Sequence, residues 1–247
     1  MNAVKMFNSF DLETSALCNR TCKTCLRNSH PNRVAVQRFF TQSFMPLQTI
    51  QQILDQAVDL GYKGKLCLCH WNEPLMDPRI VEIVRLAKSY NRVFVYLYTN
   101  GDFLTDDLAG QLDGLLDCIA VSLYVTGSAR AEKSRKITQA FSRSQVQIKG
   151  DHRPAHFHPG LVGNPHLHCR PVPRRLIVTY RGEYLLCCED LLGEFAFGRF
   201  PEVSLKDYWF GEKHTTILNT LSAPGGRASY PYCASCPSGV EQRTAHA

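Results

Sequence analysis

The chain has 247 residues, 44% hydrophobic and 20% charged, with a formal net charge of +6. That is enough to bury a real core, as one large domain or a domain with a small appendage. No apolar run approaches the roughly 18 residues that span a bilayer, the first residues lack the apolar stretch of a secretion signal, and no basic block marks a nucleic-acid surface, so a cytoplasmic location is expected.

Residues 7–13 read as a first strand that runs straight into a cysteine-bearing loop. From 47 to 60, Ile50, Ile53, Leu54, Ala57 and Val58 recur at helical spacing; Gly61 and Gly64 end that helix before a β-like run at 65–70. Asp77 and Pro78 open a second helix with Ile80, Val81, Val84 and Ala87 on its apolar side. Residues 93–99 form a β-branched and aromatic strand that stops at Asn100-Gly101. Leu108 and Leu112 mark a third helix, 118–123 a fourth strand, 129–141 another helix and 146–148 a fifth strand.

This alternation predicts an α/β fold with a parallel sheet and right-handed crossovers. About five strands fit before residue 150, too few to close an eight-stranded barrel. An open, partial barrel is expected, with its site at the C-terminal ends of the strands. Residues 151–168 show no period and hold five of the nine histidines. Beyond them, 175–180 and 183–188 read as a hairpin turning at Arg181-Gly182, followed by short helices near 205–210 and 214–221. The expected division is 1–165 for the partial barrel and 166–247 for a small hairpin-plus-helix domain.

Eleven cysteines are a high and odd number. In a reducing compartment they are not disulfides, and those in tight groups point to a soft metal or cluster. Cys18, Cys22 and Cys25 have the spacing C-x3-C-x2-C. Three clustered thiolates can hold three irons of a 4Fe–4S cluster and leave the fourth open to a small molecule, whereas structural zinc wants a fourth ligand. This segment resembles the signature of the radical S-adenosylmethionine (SAM) superfamily. The resemblance implies a SAM molecule chelated at the open iron and cleaved by one electron to methionine and a 5′-deoxyadenosyl radical, which takes hydrogen from the substrate. His70-Trp71-Asn72-Glu73-Pro74 is similar to the family's Gly-Gly-Glu-Pro segment at Glu73 and Pro74 only. On that resemblance Asn72, Glu73, Thr99, Asn100 and Ser122 are the expected SAM contacts, Glu73 taking the amino group.

Cys169, Cys187, Cys233 and Cys236 form a second constellation, with Gly182 five positions before Cys187 and a C-x2-C knuckle at the end. Four thiolates of this kind suit zinc or an iron–sulfur cluster. The pattern resembles the twitch domain, a short relative of the SPASM domain, which implies one auxiliary 4Fe–4S cluster. Cys188 is the rival of Cys187, but adjacent strand side chains point to opposite faces. Cys67, Cys69 and Cys118 fall in strands and are expected in the core. The histidines of 151–168 lie among Pro154, Pro159 and Gly160, which suits a solvated or substrate-covering loop better than a metal site. Lys149, His152 and Arg153 are the expected substrate contacts.

The overall plan is similar to that of radical SAM dehydrogenases acting on aminocyclitol alcohols, through motifs, length and domain order rather than the substrate pocket. It implies oxidation of a carbinol with one SAM consumed per turnover, the auxiliary cluster taking an electron, and a reducing donor such as flavodoxin or ferredoxin. Two alternatives stand beside it. One is a peptide-modifying radical SAM epimerase or crosslinking enzyme; the other is a zinc-stabilised module that binds RNA or protein.

Overall fold

The computed structural model describes residues 5–23, 25–41, 43–150, 164–166, 169, 174–234 and 236. Seven strands form one sheet: β1 Ser9–Leu12, β2 Lys65–Cys67, β3 Phe94–Thr99, β4 Cys118–Ser122, β5 Gln145–Lys149, β6 Arg175–Val178 and β7 Tyr184–Leu185, in the order β5-β4-β3-β2-β1-β6-β7. All pairs are parallel except β6 with β7. The order has two ends, so the sheet is an open barrel. The hairpin expected to head a separate appendage joins it: β6 pairs with β1 from Ser9 opposite Arg175 to Leu12 opposite Val178. The sheet therefore runs through the expected boundary at 165.

Nine helices are described: α1 Leu26–Ser29, α2 Arg33–Phe39, α3 Leu47–Asp59, α4 Ile80–Ser89, α5 Asp106–Leu112, α6 Gly127–Ala140, α7 Leu205–Phe210, α8 Glu212–Ser222 and α9 Pro231–Ala234. The α3 helix buries Ile50, Ile53, Leu54 and Ala57, and α4 buries Ile80, Ile83, Val84 and Ala87. Both sets repeat every three or four residues, one stripe per helix. Spacing alone puts Val58 and Val81 in those stripes, but Val58 is exposed and Val81 only half-buried, while Ile83 takes the buried position. The short α1 and α2, absent from the sequence reading, bury Leu26, Val36 and Phe39, and Asn32 caps α2 by accepting from the Ala35 amide at 3.0 Å. No described helix is long and apolar enough to cross a membrane.

The strand period of two sorts the sheet into unlike faces. Phe10, Leu12, Leu66, Leu68, Val95, Leu97, Ile119, Val121, Leu176 and Val178 join the main core beneath the helices. The intervening positions Asp11, Cys67, Cys69, Tyr96, Tyr98, Ser122 and Arg175 line a cavity on the other face. Cys67 and Cys69 are buried, but as cavity wall rather than as part of the helix-side core; Cys118 is buried outside the lining.

Between β6 and β7 the chain turns at Gly182, at φ +83°, where a Cβ would meet the Phe200 carbonyl oxygen at 2.6 Å. That left-handed turn sets where the following cysteines emerge.

Candidate active site

The cavity measures about 270 Å³. Its rim brings together Cys18, Cys22 and Cys25 with Asn72, Glu73, Thr99, Asn100 and Ser122, which arrive from the β1 loop and the ends of β2, β3 and β4. The cysteine loop is held from several sides. The Cys25 amide donates to the Cys22 carbonyl (3.1 Å), Asn28 Nδ2 to the same oxygen (3.3 Å), and Arg27 Nη1 to the Trp71 carbonyl (3.2 Å). Asn100 Nδ2 donates to Asn19 Oδ1 at 2.8 Å, joining that loop to the end of β3. Burial pushes the Cys18 thiol up, against the Arg20 amide and the Arg27 charge.

Glu73 is the hub of this rim. It is 3% exposed and accepts from the Leu75 amide (3.0 Å), the Thr99 hydroxyl (2.6 Å) and the Asn100 amide (2.7 Å). Burial pushes its carboxyl up while the Asn100, Thr99 and Leu75 donors pull it back. A carboxylate has about four lone-pair sites, so one remains for a ligand. A second buried carboxylate, Glu13, accepts from the amides of Trp71 (3.0 Å) and Tyr180 (3.4 Å) and so ties together the segments that follow β1, β2 and β6. Burial pushes its carboxyl up, and nearby His70 pulls it back.

The deeper wall joins Asp11, Tyr96, Tyr98, Arg175 and Glu189, which the sequence pattern does not single out, to His70, Cys67, Cys69 and Cys188, which it gives other places. Asp11 Oδ2 lies 3.6 Å from His70 Nδ1 and 3.6 Å from Arg175 Nη1. Asp11 Oδ1 and His70 Nε2 are buried without a partner. The Cys67 and Cys69 sulfurs stand 3.3 Å apart, and Tyr96, Tyr98, Cys188 and Glu189 complete the wall. One signal was available: polar or sulfur side chains at every second position of otherwise apolar strands. Of the expected substrate contacts, Lys149 ends β5, does not line the cavity, and uses its carbonyl to accept from Leu123 N (3.0 Å) and Arg130 Nη2 (3.1 Å). His152 and Arg153 lie outside the described residues, as do His156, His158 and His168. His166 is described, and its amide donates to Asn164 Oδ1 at 2.9 Å.

The second cysteine group lies beyond β7. Cys169, Cys187 and Cys233 pack around Leu186, Ile217, Leu218 and Leu221 with Phe195 and Tyr230. The Cys236 amide closes the knuckle on the Cys233 carbonyl at 3.3 Å, and the Cys169 amide donates to the Leu221 carbonyl at 2.8 Å. Burial, with the Cys169 and Cys236 thiols, pushes Cys233 up to about 11. Cys187 turns into this cluster and Cys188 into the cavity.

Residues 12–144 match the model of the radical SAM superfamily. The chain belongs to the radical SAM superfamily. Residues 169–237 match a second model, SPASM, an iron–sulfur cluster-binding domain. Along 244 residues the chain is 25% identical to an S-adenosyl-L-methionine-dependent 2-deoxy-scyllo-inosamine dehydrogenase of Niallia circulans, covering 94% of this chain and 93% of that one. The fold is similar to that of BtrN in complex with AdoMet and 2-DOIA, with a TM-score of 0.78 at 22% identity over 94% of this chain and 93% of that one. It is also similar to anSMEcpe with bound AdoMet and a peptide, with a TM-score of 0.63 at 9% identity over 92% and 87%.

This radical SAM enzyme therefore works with SAM and iron–sulfur clusters, and its side chains fit both. At the rim, the three thiols face one cavity alongside a carboxylate with an unused acceptor site. Among the described residues no group of three or more His, Cys, Asp or Glu is arranged to hold a single metal ion. At the second group, Arg227 is buried with Nη1 unpartnered beside the cysteine knuckle, a setting that calls for an anionic neighbour such as a metal–thiolate group.

Proposed function

We propose that the chain is a radical SAM dehydrogenase that oxidises a carbinol of a small polar substrate to a carbonyl. In this reading Cys18, Cys22 and Cys25 hold the 4Fe–4S cluster at which SAM binds. Cys169, Cys187, Cys233 and Cys236 hold an auxiliary 4Fe–4S cluster. The observation that carries the reading is the parting of two consecutive residues: Cys187 packs with Cys169 and Cys233, and Cys188 lines the cavity. The two sites are one residue apart along the chain. The relationship to the inosamine dehydrogenase along nearly all of both chains supports the same reaction class and makes an aminocyclitol the first substrate to try.

When bound, SAM and its cluster supply hydrogen-atom abstraction, and the auxiliary cluster supplies a one-electron acceptor. The protein's own groups bind and orient. Asn72, Glu73, Thr99, Asn100 and Ser122 hold SAM, with the spare Glu73 acceptor site taking its ammonium. Asp11 Oδ1 and His70 Nε2 pair with substrate hydroxyl or amino groups, because a buried polar atom without a partner costs about 1–3 kcal/mol. His70, held between Asp11 and the cavity, takes the hydroxyl proton. The carbinol thus loses a hydrogen atom from carbon, a proton from oxygen and one electron. Lys149, at the end of β5 and outside the cavity lining, leads into the segment that carries the other two proposed contacts, His152 and Arg153. The proposed division keeps 1–165 as the body of the partial barrel and 166–247 as the auxiliary domain, whose β6–β7 hairpin extends the barrel's sheet. A flavodoxin or ferredoxin in the cytoplasm is the proposed reductant.

The test joins metal content to product. Anaerobically reconstituted protein should hold about eight irons, falling to about four in a C18A/C22A/C25A variant. With SAM, dithionite and 2-deoxy-scyllo-inosamine it should release one 5′-deoxyadenosine per carbonyl formed. About four irons and one zinc in the wild type would remove the electron acceptor and the dehydrogenase reading with it.

A specific feature supports a second reading, redox-neutral epimerisation of a small molecule or peptide. Besides Cys18, Cys22 and Cys25, three further thiols, Cys67, Cys69 and Cys188, line the cavity. Burial pushes Cys67 up, helped by Cys69, and burial pushes Cys188 up, helped by Glu189. Cys67 and Cys188 are thereby held as S–H and can return a hydrogen atom to a substrate radical. One electron from the flavodoxin or ferredoxin reductant and one proton from solvent then restore the thiyl left behind. Deuterium from D2O in recovered substrate, with no carbonyl, would identify this path.

A further inference from the structure

Arg227 lies on the single turn Gly226–Ser229 and is 2% exposed. Its place is imposed by close packing: a Cβ on Gly226 would sit 1.6 Å from the Thr220 carbonyl oxygen, so only glycine lets this turn lie against α8. The hydrogen bonds of its guanidinium among the described residues all go to carbonyl oxygens. Nε and Nη2 donate to Cys233 O at 3.0 and 2.9 Å, and Nη2 donates also to Cys236 O. Nη1 is buried without a partner.

Carbonyls answer the directionality of a guanidinium but not its full charge. A buried charge without a counter-charge is strongly destabilising, so this arrangement is incomplete in the protein alone. The two carbonyls it grips belong to the two cysteines of the knuckle.

We propose that Arg227 is the positioning residue and counter-charge of the auxiliary centre: it fixes the Cys233–Cys236 knuckle by its carbonyls and presents a fixed positive charge to the metal–thiolate group. This rests on the auxiliary-cluster reading above. A cluster that gains an electron gains negative charge, so Arg227 stabilises the reduced form. It raises the midpoint potential and makes the centre a better electron acceptor. Burial strengthens the effect, because the charge acts through a low-dielectric surrounding.

The experiment is an EPR-monitored redox titration of the auxiliary centre in a C18A/C22A/C25A background, comparing Arg227 with R227K and R227Q. Iron content and circular dichroism are read on the same samples. Gln keeps a donor for one carbonyl and removes the charge; Lys keeps the charge and loses the fork. R227Q should lower the reduced-to-oxidised ratio at a fixed potential about tenfold, a downward shift of about 59 mV for one electron, and R227K should stay close to Arg227. R227Q losing its iron while R227K retains it would equally support the charge. Full loading of R227Q with an unmoved midpoint overturns the proposal, as does equal iron loss in both variants, since Arg227 would then be only a pin. A C18A/C22A/C25A protein that holds no iron overturns the cluster reading and the role of Arg227 together. That result is distinct from an unmoved potential, which overturns the role alone.

Discussion

The guanidinium of Arg20 grips the carboxylate of Asp102 through two nitrogens, each 2.6 Å from an oxygen. Asn19 Nδ2 reaches the same carboxylate at 2.9 Å, and the Arg20 plane lies 4.5 Å from the Tyr124 ring centre. The hydrogen bonds from Arg20 hold the Asp102 carboxyl below its ordinary range. A loop that must present three cysteines to one cluster is thereby clamped to the segments that follow β3 and β4.

That clamp predicts selective iron loss. In D102N the amide keeps one acceptor oxygen and turns a donor toward Arg20, so the bidentate ion pair falls to a single hydrogen bond, a loss of about 1.4 kcal/mol or tenfold in an equilibrium constant. A chelator should strip iron from the first site about tenfold faster while the auxiliary iron keeps its wild-type rate. Equal acceleration at both sites would mean that Asp102 supports the fold rather than the loop.

Glu73 yields a second expectation. Its three donors come from Leu75, Thr99 and Asn100, so the carboxylate shapes the rim and still has an acceptor site for an ammonium. E73Q keeps the size but loses the charge and one acceptor. Hydrogen bonds to charged groups contribute about 1.5–3 kcal/mol, so SAM affinity of reconstituted E73Q should fall roughly ten- to a hundredfold with both clusters retained. Unchanged affinity would leave Glu73 as a purely structural hub.

Much of this was legible beforehand, and the reasons are physical. Cys18, Cys22 and Cys25 are close in sequence, and Cys187 sits a fixed distance past Gly182, whose positive φ only glycine adopts readily. Such local constraints survive as spacing. The helices α3 and α4 were legible because one face is apolar. The wall formed by Asp11, His70, Arg175 and Glu189 was not, because its members lie far apart in the chain: β1–β2 pairing brings Asp11 to His70, and only β1–β6 pairing adds Arg175. The one local trace, polar and sulfur side chains at alternate strand positions, marks a face as unlike the core but does not tell a cavity wall from a solvent face. Arg227 was hidden for the same reason.

Acid should loosen the barrel at a definite place. Asp113, 8% exposed, accepts from the amides of Ser142 (3.1 Å), Arg143 (2.9 Å) and Ser144 (2.9 Å) and from the Ser142 hydroxyl (2.8 Å). Burial pushes its carboxyl up, but these donors outweigh it and hold the group well below the usual carboxylate range. A depressed folded-state value adds stability above the ordinary aspartate value near pH 3.9, and that stability is lost as pH falls below it. D113N should therefore be less stable by roughly 1.5–3 kcal/mol at pH 7, and the gap to wild type should close at low pH. Urea midpoints at pH 7 and pH 3 measure it; a gap that stays constant would exclude the carboxylate as the source.

The pair Cys187 and Cys188 allows the sharpest separation of roles. Two adjacent thiols in one short segment would normally be interchangeable as ligands. Here backbone direction sends Cys187 among Cys169, Cys233 and Leu186, and Cys188 toward Arg175 and Glu189 at the cavity. C187A should lose the auxiliary iron, about four per chain, with SAM cleavage at the first site retained and carbonyl formation abolished. C188A should keep all its iron. If the enzyme is a dehydrogenase, C188A forms carbonyl at a rate within about threefold of wild type, because the thiol takes no part in removing the hydrogen, proton or electron. If the enzyme returns hydrogen to its substrate through Cys188, C188A loses turnover and solvent deuterium no longer enters the product. Iron loss in C188A with full loading of C187A would reverse the ligand assignment, since the adjacent residue would then carry the auxiliary centre.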